Sequence, residues 1–218
     1  ALLDPDSVRR LSRICRMALA ACRLAVDEAG LEGGERLGLV VGTEYGDFRS
    51  GAEFFDGFLR RGPAGLSPMV FPSTVMNSMA AVSAISLGAK ATSVTLNQAT
   101  VAGDLAVARA AALIADGRAE AVVAGGVDDL FSDVYLNLAR LGAISPMSGR
   151  APEGCRPYSP DHNGPVLGEG ATFLVLEERE AARARGARIH AEVLGAAWGA
   201  IPVAPHTAPA GRRDRGAI

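Results

Sequence analysis

The run TLNQATVAGDLAVARAAALIADGRAEAVVAGG, Thr95 to Gly126, constrains this chain more than any other stretch. An apolar strand passes through a small-residue turn into a long helix, a glycine stops the helix, and a second apolar strand follows. Strand, helix, strand with one right-handed crossover makes a parallel sheet with a helix packed on it. A chain built around this unit is an α/β protein. The same turn is where chemistry is expected, because a strand running straight into a helix aims the first helical N–H groups at whatever stands on the turn. Such a turn lowers the pKa of a thiol and can hold an oxyanion. Here it carries Thr100, with no cysteine, serine–histidine pair or metal ligand beside it.

The other elements fit the same class. Val8, Leu11, Ile14, Cys15, Leu19, Cys22 and Val26 recur at helical spacing and predict one helix from Asp6 to Gly30, capped by Asp6 or Ser7 and stopped by the glycine. Cys15 and Cys22 share that apolar stripe and read as buried structural thiols. RLGLVVGT, Arg36 to Thr43, is a strand buried on both faces. GAEFFDGFLRR is a helix, and TVMNSMAAVSAISLG, Thr74 to Gly88, is a helix apolar enough to be buried on most sides. ATSVTLNQ is the second strand, Gly103 to Asp116 a helix, AEAVVAGG the third strand, and Asp133 to Leu141 another helix. ATFLVLEE and RIHAEVLGAAWG read as two further strands.

Composition removes several functions. The chain has 218 residues and a formal charge of −2. Clustered Lys and Arg, which phosphate binding needs, are absent apart from Arg212, Arg213 and Arg215, so no nucleic-acid partner is expected. These arginines read as a solvated helix start, with a carrier-protein or phosphate contact as the minor alternative. Three cysteines without CxxC spacing support neither a disulfide framework nor zinc, and a cytoplasmic protein is expected. No run of about 20 apolar residues is present, so no membrane span is expected. Gly42, Gly46, Gly125 and Gly126 do not form a dinucleotide fingerprint, and no metal or cofactor is expected. The chain starts without methionine and stops at RDRGAI with a helix just begun, so both ends read as cut.

Five segments in order, GLVVGTEYG, FPSTVMNSMAAVSAISLGAKATSVT, ADGRAEAVVAGGVDD, RPYSPDHNGPVLGEGATFLVLEERE and HAEVLGAAWG, resemble the N-terminal part of the β-ketoacyl-acyl carrier protein synthases, or ketosynthases. The resemblance implies a thiolase-like, layered αβαβα fold. It divides the chain into residues 1–187, the N-terminal half without its first strand, and 188–218, the truncated start of the C-terminal half. In such ketosynthases the turn reads A-C-x-x-G, and the cysteine takes an acyl group from acyl carrier protein before condensing it with a decarboxylated malonyl unit. This chain has Ala99-Thr100-Val101-Ala102-Gly103, which sets Thr100 at the nucleophile position.

A threonine hydroxyl is a poor replacement. Helix-terminus electrostatics do not ionise an alcohol, no adjacent base is visible, and a β-branched residue resists the strained backbone of a nucleophile turn. The family's RDGF element is His162-Asn163-Gly164-Pro165 here, and its two catalytic histidines come from the C-terminal half. His162, His190 and His206 do not replace them.

The resemblance is therefore closest to chain-length factors, partner subunits in which the nucleophile is replaced, often by glutamine. Gln98 is two positions early for that role and is expected as a pocket or interface residue on a strand that the family pairs across its dimer. The expected partners are acyl carrier protein and either a cysteine-bearing ketosynthase subunit in a heterodimer or a second copy in a homodimer. An active synthase and a non-catalytic carrier-docking scaffold stand as alternatives.

Val101, Asn77 and Gly103 complete the expected substrate pocket; Asn77 reads equally as a satisfied core amide. Gly103 is taken to permit close helix approach. Glu169, between Gly168 and Gly170, is expected to support the site by receiving N–H groups of its glycine turn. Asp128 and Asp129 read as a cap and a solvated charge. Met69, Met76, Met79 and Met147 read as core or interface filling.

Overall fold

A computed structural model describes residues 3–146 and 152–199. Met147, His206, Arg212, Arg213 and Arg215 lie outside them. The described residues fall into two units, one of 3–128 with 170–198 and one of 129–146 with 152–169 and 199.

In the first unit, a single turn, α1 (Pro5–Val8), precedes α2 (Arg13–Ala29). The one long helix expected from Asp6 is thus two pieces. Asp6 and Ser7 lie inside the first, and Ser12, in an extended conformation, starts the second. Gly30 closes α2 at φ 63°, in the left-handed region that glycine enters freely. Then follow β1 (Leu37–Thr43), α3 (Phe48–Arg61), two short 3-10 turns, α4 (Ser78–Leu87), β2 (Ser93–Asn97), α5 (Ala102–Ala115), β3 (Ala121–Asp128), β4 (Gly170–Glu177) and α7 (Arg179–Ala184). The second unit contains α6 (Ser132–Arg140).

The sheet has the order β2-β1-β3-β4. β1 runs parallel to both β2 and β3, so the crossover through α5 passes over β1, while β4 returns antiparallel to β3. The sheet is mixed. Alternation along the strands feeds two cores. Leu39, Val41 and Val123 pack with Ile14, Cys15, Ala18 and Cys22 of α2 and Met79 of α4. Val40, Val122 and Ala124 pack on the other face with Ala106, Ala110 and Leu113 of α5. Alanines at the contact let α5 lie close to the strands.

Two expectations fail here. RIHAEVLGAAWG forms no strand between residues 188 and 199. Alternation alone does not supply a neighbouring strand for its N–H and C=O groups, and without one a strand does not form. α4 is apolar all round, yet Ile85 is 83% exposed. β2, beside it, is the outer strand of the sheet, so nothing among the described residues covers that side.

Cys15 and Cys22 are buried, whereas Cys155 is exposed. Burial pushes the Cys22 thiol up to about 12. Its thiolate is then a fraction of about one in ten thousand at pH 8. Iodoacetamide at that pH is expected to modify Cys155 within minutes and leave Cys22 intact until the chain unfolds, as read by peptide mass mapping. Labelling of Cys22 in the native state at a rate comparable with Cys155 would contradict the packing of α2 on the sheet.

Candidate functional site

β1, β2 and β3 end side by side, at Thr43, Asn97 and Asp128. Loops at the carboxyl ends of parallel strands are where open α/β sheets bind ligands. The turn 98–101 leaves β2 at this edge and enters α5. Thr100 sits in it with φ 65°. A β-branched residue in the left-handed region is a true outlier, because its branched Cβ crowds the following carbonyl. Tyr158, in the second unit, is the other non-glycine residue with positive φ among the described residues. The strain at Thr100 persists because the chain is held on both sides. The Gln98 N–H donates to the Thr43 carbonyl at 3.3 Å, and the Leu105 N–H to the Val101 carbonyl at 3.0 Å.

Asn97 fastens the turn to the loop after β1. Its Nδ2 donates to the Glu44 carbonyl at 2.8 Å and to the Thr43 carbonyl at 3.2 Å. That loop is held from the other side by Asp128. The Asp128 carboxylate accepts from the Thr43 hydroxyl at 2.8 Å, the Glu44 N–H at 2.9 Å and the Tyr45 N–H at 3.0 Å. Asp128 is therefore neither a helix cap nor a solvated charge; it is a clasp. The Gly46 N–H in turn donates to the Thr43 hydroxyl oxygen at 2.9 Å.

The clasped loop places a carboxylate beside the turn. Glu44 Oε2 accepts a long hydrogen bond, 3.4 Å, from the Thr100 N–H. Sequence reasoning found no base here, since Glu44 is 56 residues from Thr100. Burial, and then a hydrogen bond to Glu44, push the Tyr45 phenol up to about 12. Tyr45 thus stays a neutral donor to that carboxylate through the physiological range.

Glycines let α5 approach. A Cβ on Gly42 would run into the Ala102 carbonyl and come within 2.8 Å of the Gly103 nitrogen, and one on Gly126 would lie 3.3 Å from the Gly103 Cα. At Gly103 itself a Cβ would meet only ordinary contacts, the nearest at 3.8 Å. The close approach expected of Gly103 is demanded instead by Gly42 and Gly126, in the strands beneath.

Beside the turn a groove of about 670 Å³ runs between α4 and the open edge strand β2. Met76, Asn77, Ala81 and Ile85 line one side, Thr95 and Asn97 the other. Asn77 stands at the N-cap position of α4 but its side chain makes no capping hydrogen bond, and it is exposed, so it is not a core amide. Val101 is 41% exposed, and Gln98 and Thr100 are exposed beside it. Thr95 Oγ1 is buried without a hydrogen-bond partner among the described residues.

The structure thus groups Thr100, Gln98, Val101, Gly103 and Asn77 around one strand end in the first unit. Gly168 and Glu169 belong to the second unit, and Gly170 begins β4. Glu169 accepts from the Leu130 N–H at 3.2 Å. Near it in sequence, the Asn163 amide oxygen accepts from the Ser145 hydroxyl at 2.8 Å, so Asn163 braces its own loop. Among the described residues no group of His, Cys, Asp and Glu has the arrangement of a metal site, and no helix is long and apolar enough to cross a membrane.

Comparison with known proteins bears on the same residues. The family model of the beta-ketoacyl synthase N-terminal domain matches residues 2–182. The 3-oxoacyl-[acyl-carrier-protein] synthase 2 of Vibrio cholerae is 34% identical over 200 residues, covering 88% of this chain and 48% of its own. The ishigamide ketosynthase/chain length factor superposes with a TM-score of 0.78 at 32% identity, over 88% of this chain and 49% of that one. A type II polyketide synthase acyl-carrier protein in complex with its ketosynthase bound to the hexaketide gives 0.71 at 26%, over 82% and 47%. The chain spans about half the length of the curated relatives it matches.

Proposed function

Because this chain belongs to the β-ketoacyl synthase family, through that family's N-terminal domain, we propose that it is a chain-length-factor-type subunit. Its fold is the thiolase-like α/β fold of the ketosynthases. In this role it shapes the acyl cavity of a cysteine-bearing ketosynthase in fatty acid or polyketide synthesis and meets acyl carrier protein as part of that pair. Residues 1–187 form the N-terminal half of the domain, and 188–218 begin the C-terminal half.

The observation that carries this reading is Thr100. The strained turn that positions a nucleophile is kept, with φ 65°, but its side chain is an alcohol and its N–H is hydrogen-bonded to a carboxylate. A turn retained without its thiol suits a subunit that keeps the fold's cavity and has given up covalent transfer. The groove beside it has an apolar wall on α4, from Met76, Ala81 and Ile85, which suits an acyl chain, facing the polar side chains of Thr95 and Asn97 on β2. The likeness to the ishigamide ketosynthase/chain length factor supports the pairing.

The active-synthase alternative draws on one observation, the nearness of Glu44 to Thr100. That carboxylate, however, receives the backbone N–H, and a base for attack has to take the hydroxyl proton.

Intact mass after incubation with acyl-loaded carrier protein separates the two. The full chain is expected to show no acyl adduct, and to co-purify with a ketosynthase that carries the cysteine. An adduct that disappears in Thr100→Ala would make Thr100 a nucleophile and overturn the proposal.

A further inference from the structure

The reading of Thr100 as the residue at the nucleophile position leaves open why a carboxylate lies against it. We infer that Glu44 is an internal plug: its carboxylate takes the Thr100 N–H that a reacting acyl group would need, and holds the turn closed to acyl transfer. This rests on the proposed function above and deepens it, because it says what, besides the lost thiol, keeps the turn silent.

Acyl transfer at such a turn places a developing oxyanion on backbone N–H groups at the start of the helix. The Thr100 N–H stands at that position, and Glu44 Oε2 already accepts from it at 3.4 Å. An oxyanion there would displace a full negative charge and then stand next to it. Both effects raise the barrier, and both come from one side chain.

The carboxylate is built in. Its own backbone N–H is gripped by Asp128 at 2.9 Å, and its carbonyl receives Asn97 Nδ2 at 2.8 Å. The Tyr45 hydroxyl donates to its side chain. Main chain and carboxylate are thus fixed from three different elements, the ends of β2 and β3 and the loop itself. The charged and titratable groups around the turn are Glu44, Tyr45 and Asp128, together with Asp104 in the first turn of α5.

A thiol introduced at the turn reports this electrostatic environment without any need for acyl transfer. In a Cys155→Ser background, Thr100→Cys is alkylated with iodoacetamide over a range of pH, with and without Glu44→Gln. Removing the negative charge favours the thiolate, so the alkylation midpoint is expected to fall by about one pH unit, which is about tenfold in rate at pH 7. Asp104→Asn, a charge on the same helix end that does not touch the N–H, is expected to move it less. An unchanged midpoint, or a shift no larger than that of Asp104→Asn, overturns the inference.

Should the thiol variant not fold, the unmodified turn serves. Amide hydrogen exchange at Thr100 is expected to accelerate about tenfold in Glu44→Ala relative to the starting chain, and equal rates again overturn the plug. Neither readout involves carrier protein or a partner subunit. A shifted midpoint in a chain that fails to pair with a ketosynthase would leave Glu44 as assigned and remove the subunit reading. The reverse pattern would remove Glu44 alone.

Discussion

Gly42→Ala is expected to cost about 3 kcal/mol or more in unfolding free energy, with the loss seen as a lower urea midpoint at an unchanged slope. The added methyl has nowhere to go. Gly42 lies in β1, hydrogen-bonded between β2 and β3, and its Cβ would overlap the Ala102 carbonyl at the first residue of α5. Flexible side chains yield to such an intrusion cheaply, but here the obstacle is backbone on a helix whose sheet-facing side is seated on the strands through Ala106, Ala110 and Leu113. Relief requires α5 to lift at its N-terminus, and that movement would pull the turn carrying Thr100 away from Glu44. If the variant folds, Thr100 amide exchange is therefore expected to rise more than exchange in the middle of α5. A variant as stable as the parent would show that the helix start is not seated on β1 as described. At Gly103, where a Cβ meets ordinary contacts, the same substitution is expected to cost far less, which makes it the matched control.

Asp128→Ala is expected to destabilise the chain by about 2–4 kcal/mol, because it strands the Thr43 hydroxyl and the N–H groups of Glu44 and Tyr45 at once. The three bonds converge on one carboxylate, so their loss is cooperative and is smaller than three separate penalties. Asp128→Asn keeps one acceptor oxygen and is expected to recover about half of the effect. The loop should loosen with it, so hydrogen exchange at Glu44 and Tyr45 is expected to approach that of an open loop while β1 stays protected. If thermal and urea midpoints of Asp128→Ala match the parent, the clasp does not contribute to stability.

What could be read from the sequence follows the range over which each feature acts. The strands ending at Thr43 and near Gly126 and the helix from Gly103 are periodic or apolar runs, and the structure has them at close to the expected places. The turn at Thr100 was legible because small residues between a strand and a helix leave the chain few paths. The family and its fold were legible because five segments agree in order, and the comparisons bear them out. Features made by distant partners were not legible. Glu44 meets Thr100 across 56 residues and Asp128 grips Thr43 across 85, and no local spacing encodes either. The adjacent pair Asp128-Asp129 looked like surface charge for that reason. A signal existed in the polar run Thr43-Glu44-Tyr45 that ends a fully buried strand and continues past it, because buried backbone at a strand end needs partners. The break between α1 and α2 and the missing strand at 188–199 failed differently, since apolar periodicity says which face would be buried and nothing about whether a partner surface is there.

The Asp128 clasp also sets an order of events during synthesis. Asn97 and the α5 turn leave the ribosome well before residue 128, and until then the loop after β1 has no carboxylate to close on. Its three donors must wait, solvated, for the last residue of β3. Contacts of such sequence separation are slow to form, because loop closure precedes any gain from the bonds. The strained conformation at Thr100 is therefore among the late steps of folding, after the parallel strands have been laid together. A nascent chain released before Asp128 has α1 to α5 and the first two strands, but not the carboxylate that fixes the loop beside the turn.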